Sequence, residues 1–163
     1  MSNIIIWEIS RPVKIEKDYE EFFVLLNKRK VRYCIVGSYA VAFYAKPRYT
    51  KDIDIFIEPS KSNTKKIVRV LEEFGFRSQG ISESDFLSEG RIIQLGYEPV
   101  RIDLITAIQG CDFGQVWKNK CVGKYGKEKV YFIGLNDLIR NKKLAARHID
   151  RSDLEILQKA KTK

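Results

Sequence analysis

Asp52 and Asp54 stand two apart in the run Lys51-Asp52-Ile53-Asp54-Ile55-Phe56-Ile57-Glu58. Alternation of this kind is a strand pattern, and residues i and i+2 of a strand point to the same face. The spacing therefore puts both carboxylates on one side and Ile53, Ile55 and Ile57 on a buried opposite side. Two close carboxylates repel and are costly to desolvate unless a cation lies between them. Hard oxygen donors suit Mg²⁺, which binds through a few carboxylates together with phosphate oxygens and water. A third acid, Asp103, lies in Val100-Arg101-Ile102-Asp103-Leu104-Ile105, again between apolar neighbours on a strand. Three acids on neighbouring strands can hold two metal ions, which activate a hydroxyl and stabilise a leaving oxygen.

A second feature points the same way. Gly37-Ser38 follows the apolar run Val31–Val36 and opens the small apolar segment Ser38–Ala45. Glycine lets the backbone approach a ligand closely, and the N–H groups at a helix start face an anion. A strand–Gly-Ser–helix turn is thus a phosphate-binding arrangement, although glycine as a tight-turn residue and serine as a helix cap would look the same.

The elements that must position these residues are legible around them. Glu16–Lys30 has apolar Tyr19, Phe22, Phe23, Leu25 and Leu26 at helical spacing, acids ahead of it and Lys28, Arg29 and Lys30 closing it. Val31–Val36 reads as a strand and Ser38–Ala45 as a short helix stopped by Pro47. Lys51–Glu58 is expected at the centre of a sheet. Ser62–Phe74 is an amphipathic helix with Gly75 past its end. Arg91–Leu95 and Val100–Ile105 form an expected hairpin around Gly96–Pro99. Gly110–Gly126 reads as basic and irregular, and Lys129–Ile133 as the last strand. Leu135–Ala146 and Asp150–Lys161 read as helices, the second capped near Asp150, with Arg147, Asp150 and Asp153 as a salt-bridge network at the junction. Ile4–Ile9 reads as a short strand or an arm. The expected fold is mixed α/β (α+β), one sheet flanked by helices. It forms a single domain over residues 1–163, with a core at about 31–133 and a C-terminal helical part at about 134–163.

Gly37-Ser38, thirteen residues, then Asp52-Ile53-Asp54, with Arg48-x-Thr50-x before the first Asp, resembles the nucleotidyltransferase superfamily of the DNA polymerase β type. Within it the chain is most similar to the minimal, abortive-infection (AbiEii-type) toxin-like branch. Lys142-x-x-Ala145-x-Arg147-x-x-Asp150-x-x-Asp153 also resembles that branch's closing helical motif. The resemblance implies transfer of a nucleoside monophosphate from an NTP to an acceptor hydroxyl, with release of pyrophosphate. On that reading Asp52 and Asp54 hold Mg²⁺, and Asp103 binds the catalytic metal or acts as base. Gly37, Ser38, Arg48, Thr50 and Lys142 would bind the nucleotide. Ser38 and the following amides would contact the triphosphate, and Lys142 the β- and γ-phosphates. Arg48 would contact phosphate or orient Asp52, or else pair with a nearby acid as structural glue.

Composition bounds the rest. The chain carries 30 Lys and Arg against 21 Asp and Glu, a formal charge of +9, which suggests an anionic partner. The surplus is prominent in Trp117–Lys129, where Trp117, Tyr125 and Tyr131 interleave with lysines, and in the last helix. Base stacking with phosphate contacts would have this pattern, and so would a solvated basic face. The single histidine, His148, excludes sites with several His ligands. Cys34, Cys111 and Cys121 have no CxxC spacing, so neither a disulfide scaffold nor a zinc site is expected. Free thiols without an export signal point to the cytoplasm, and no apolar run is long enough to span a membrane. The acceptor is RNA such as tRNA, favoured by the positive charge, or a small molecule such as an aminoglycoside or lincosamide. The alternatives are a non-catalytic nucleotide- or RNA-binding module, and the toxin component of a pair with an antitoxin protein.

Overall fold

A computed structural model describes residues 16–47, 49–76, 80–145 and 147–162. The expected segment Ile4–Ile9 and the residue Arg48 lie outside the described residues. The elements in chain order are α1 (Lys17–Lys28), β1 (Tyr33–Val36), α2 (Gly37–Tyr44), β2 (Asp52–Ile57), α3 (Lys61–Phe74), α4 (Glu83–Leu87), β3 (Ile92–Leu95), β4 (Arg101–Ile105), α5 (Phe113–Asn119), β5 (Cys121–Tyr125), β6 (Glu128–Phe132), α6 (Leu135–Ala145) and α7 (His148–Lys161). The strands form one six-stranded mixed sheet in the order β3-β4-β2-β1-β6-β5.

The alternation of β2 decides which face receives which helices. Ile57 pairs with Tyr33 of β1, and the Tyr33 ring stacks on Phe23 of α1 at 5.7 Å. The faces of Ile53, Ile55 and Ile57 are therefore covered from the α1 side, where α3 packs on α1 through Phe74 against Phe22 at 5.1 Å. Asp52, Asp54 and Phe56 share the opposite face, and Phe56 meets Phe113 of α5 edge-on at 5.1 Å. The three isoleucines are essentially fully buried, so register is strongly set: a slip of one residue would turn them to the acidic side and the acids into the core.

Helix ends follow local chemistry. Ser60 caps α3 by accepting from the Asn63 N–H, and Gly75 ends it in the left-handed conformation. Asp112 caps α5 by accepting from the Gln115 N–H. The Gly110–Gly126 stretch is not irregular: it contains α5 and β5, and β5 pairs antiparallel with β6 along its whole length. Tyr125, expected to interleave with lysines, is fully buried among Tyr19, Phe23 and Tyr39. All three cysteines are free thiols. Among the described residues no helix is long and apolar enough to cross a membrane.

Candidate active site

The chain turns from β1 into α2 at Gly37, which adopts φ +65°. Side chains rarely tolerate that conformation. A Cβ on Gly37 would also collide with the Asp54 carboxylate, because Val36, the residue before it, pairs with Asp54 across the β1–β2 ladder. Gly37 is therefore needed twice over, for the turn and for the space that Asp54 fills. The helix that follows has Val36 as its N-cap and no side-chain cap. Its first-turn amides, including that of Ser38, thus begin beside Asp54.

β2 and β4 pair in parallel, with Asp54 opposite Asp103 and Asp52 opposite Arg101. Directly paired residues share a face. The pairing gathers Asp52, Asp54 and Asp103 so that one oxygen from each lies within 4.8 Å of the others. Asp103 is 5% exposed, while Asp52 and Asp54 are half-buried. Burial pushes the Asp54 carboxyl up to about 7, and the charges of Asp52 and Asp103 add to the rise. Burial raises Asp103 as well, and the hydrogen bond from Arg101 offsets only part of it.

Arg101 is the site residue that the sequence reading did not single out. Its Nε donates to Asp103 Oδ1 at 2.8 Å, and its Nη2 donates to Asp103 Oδ2 at 3.1 Å and to Asp52 Oδ2 at 2.8 Å. The signal was present: Arg101 stands two before Asp103 on a strand, so it had to share that face.

Thr50 lies at the mouth of β2. Its hydroxyl donates to the Asp52 carboxylate at 3.1 Å and contacts the Asp52 carbonyl at the same distance, which fixes the rotamer of that acid. Lys142 of α6 is 5% exposed, and its ammonium lies 3.1 Å from both Asp150 and Asp153 of α7. Asp150 and Asp153 are fully buried. Arg147 adds three hydrogen bonds to Asp150, from its backbone N–H, Nε and Nη2. Burial alone would raise Asp150, but the bonds from Arg147 and Lys142 hold it below the usual carboxylate range. The junction network over Arg147, Asp150 and Asp153 thus has the form its spacing suggested, and it includes Lys142. That cluster is close enough for Lys142 to lower Asp54 electrostatically.

The arrangement offers a hard cation three carboxylates and an anion the start of α2. The family model described as "Nucleotidyl transferase of unknown function (DUF2204)" matches residues 15–163. The chain belongs to that family. No curated protein sequence matches it. Two solved structures share the fold. An antigenic nucleotidyltransferase-like protein from Paracoccidioides brasiliensis aligns with a TM-score of 0.54 at 15% identity, over 88% of this chain and 74% of that one. ANT(2")-Ia, crystallised with adenylyl-2"-tobramycin, aligns with a TM-score of 0.54 at 11% identity, over 88% of this chain and 91% of that one. The mixed sheet with flanking helices is thus a nucleotidyltransferase-like fold, and the family is described as one of nucleotidyl transferases.

Proposed function

We propose that the chain transfers a nucleoside monophosphate from an NTP to an acceptor hydroxyl, with Mg²⁺ held by Asp52, Asp54 and Asp103. The observation that supports this reading most is the convergence of those three carboxylates on one sheet face beside the Gly37-Ser38 turn. The donor set fits the ion: it is all oxygen, tightly grouped and short of positive charge. Held by Asp52, Asp54 and Asp103, Mg²⁺ would supply Lewis-acid neutralisation of the charge that develops on the leaving group.

The chain's own residues divide the remaining work. The first-turn amides of α2 and the Ser38 hydroxyl receive the triphosphate at a helix start. Thr50 holds Asp52 in place through its hydroxyl. The acceptor oxygen forms a bond to the α-phosphorus while the bond to the β-phosphate oxygen breaks, and pyrophosphate leaves with that electron pair. Asp103, the most buried of the three carboxylates, accepts the hydroxyl proton. Lys142, buried against Asp150 and Asp153, adds positive potential behind Asp54 for the β- and γ-phosphates.

The acceptor we propose is RNA such as tRNA. Lys28, Arg29, Lys65, Lys66 and Arg69 line an open hollow of about 330 Å³ formed by α1 and α3. This hollow lies toward the Tyr33–Ile57 end of the β1–β2 ladder, the end opposite Gly37 and Asp54. A phosphate backbone held there by cations is kept clear of the acidic end. The cytoplasm is the compartment that fits such a substrate and three free thiols.

The test is direct. The protein is incubated with each labelled NTP, Mg²⁺ and total tRNA, and label in the RNA is measured for wild type and Asp54→Asn. Wild type should label RNA, and Asp54→Asn should lose about a thousandfold or more of that rate. Equal labelling by the two proteins with every NTP would end the transferase reading.

A further inference from the structure

Arg101 has no place in the transfer just described, yet it makes the densest set of hydrogen bonds in the acidic site. Its fork grips Asp103 through two nitrogens and reaches Asp52 with one of them. Planar, two-point contact of this kind is the strongest that a carboxylate makes with a side chain. A guanidinium stays charged at any physiological pH, so it leaves a site by moving and not by losing a proton.

The structure also shows where it can move. Nη1 of Arg101 lies 3.6 Å from Glu98 Oε1, on the outer side of the guanidinium. Arg101 and Glu98 line a hollow of about 440 Å³ together with Gln94, Tyr97, Phe76 and Ile81. The side chain thus has an inner partner pair, Asp52 and Asp103, an outer carboxylate, Glu98, and a hollow that Arg101 and Glu98 both line.

We infer that Arg101 is the resident counter-cation of the acidic site and sets its selectivity, admitting a metal–triphosphate complex in preference to a bare divalent ion. This rests on the transferase reading above. A bare ion must displace the guanidinium from two carboxylates and leaves it Glu98 as its carboxylate partner. A metal–triphosphate brings its own phosphate oxygens, which accept the released guanidinium as carboxylates did. Glu98 holds Arg101 in its outer position. Arg101 is a positioning residue: it acts through Asp52 and Asp103.

The experiment is a titration of Mn²⁺ alone, with free ion read by electron paramagnetic resonance, into wild type, Arg101→Gln, Glu98→Gln and the double variant. Arg101→Gln should bind Mn²⁺ about tenfold tighter or more, the worth of one charged hydrogen bond. Glu98→Gln should bind it a few-fold more weakly, and that loss should vanish in the double variant, because Glu98 acts through Arg101. A non-hydrolysable ATP analogue should tighten Mn²⁺ binding more in wild type than in Arg101→Gln. Damage to the fold would weaken binding in every variant, so the opposite signs separate the two cases. If Arg101→Gln does not fold, Arg101→Lys keeps one charge with fewer donors and should tighten Mn²⁺ to a smaller degree. Unchanged or weaker Mn²⁺ binding on replacing Arg101 overturns the inference, as does a Glu98→Gln effect that persists in the double variant. These readouts involve no turnover. Labelling that survives Asp54→Asn would end the transferase reading alone, and an indifferent Arg101→Gln would end this inference alone.

Discussion

Two charged clusters act on Asp54. In one, Lys142 and Arg147 meet Asp150 and Asp153, two cations against two carboxylates. In the other, Arg101 alone meets Asp52 and Asp103 beside Asp54, one cation against three carboxylates. The balanced cluster holds Asp150 below the ordinary carboxylate range in spite of its full burial. The unbalanced one leaves Asp54 and Asp103 raised. Both consist of the same residue types on neighbouring elements. What separates a structural ion network from a group of acids that could hold a cation is therefore the charge left over, which is zero in the first and −2 in the second.

The largest test of that contrast is Asp150→Ala. Removing Asp150 leaves Lys142 with Asp153 alone and takes away the carboxylate that Arg147 holds, which should cost about 3–5 kcal/mol and show as a large fall in urea midpoint. An unchanged midpoint would make the balanced cluster ornamental. Gly37→Ala comes next. It strains the turn and drives Asp54 out of place, so stability should fall by about 1–3 kcal/mol and transfer activity should be lost with it.

Asp54→Asn should act on stability with the opposite sign. Burial and the neighbouring acids push the Asp54 carboxyl up to about 7 in the folded chain, against about 3.9 for an ordinary aspartate. Below about pH 4 it is protonated in both states and carries no penalty. As pH rises from about 4 to about 7, the unfolded chain is ionised while the folded chain keeps its proton, so stability is lost across that window and stays lost above it. Without metal, Asp54→Asn should raise Tm by a few degrees near pH 8 and change little near pH 4. A Tm that falls at both would place Asp54 with the balanced cluster. The smallest effect belongs to Thr50→Val, which frees the Asp52 rotamer at a cost of about 1 kcal/mol and should lower activity a few-fold with the fold intact.

The acids and the turn were legible because strand alternation fixes a face whatever the rest of the fold does. Asp52 and Asp54 needed only that rule, and the hairpin that carries Asp103 was bounded by Gly96 and Pro99. The pairing of β2 with β4 was not legible, since it joins strands that are parallel and far apart in sequence. Arg101 was overlooked for that reason: its reach to Asp52 depends on a register that no local pattern encodes. The partners of Lys142 lie across a helix junction, so only the family resemblance spoke for it, as a contact to the phosphates. Short α4 and α5 gave too few turns for a period. Strand β5 hid behind Gly123 and Lys124, which read as loop.

The ion network at the junction of α6 and α7 also orders events during synthesis. Lys142 precedes its carboxylates Asp150 and Asp153 along the chain, so it is added to the growing chain before either. Every acid of the reaction centre is translated by residue 103, yet the cation behind Asp54 cannot be buried until α7 arrives. A chain stalled or clipped before residue 150 carries the full triad and still cannot set its final helices. Such a product lacks both carboxylates that hold Lys142 at the junction of α6 and α7.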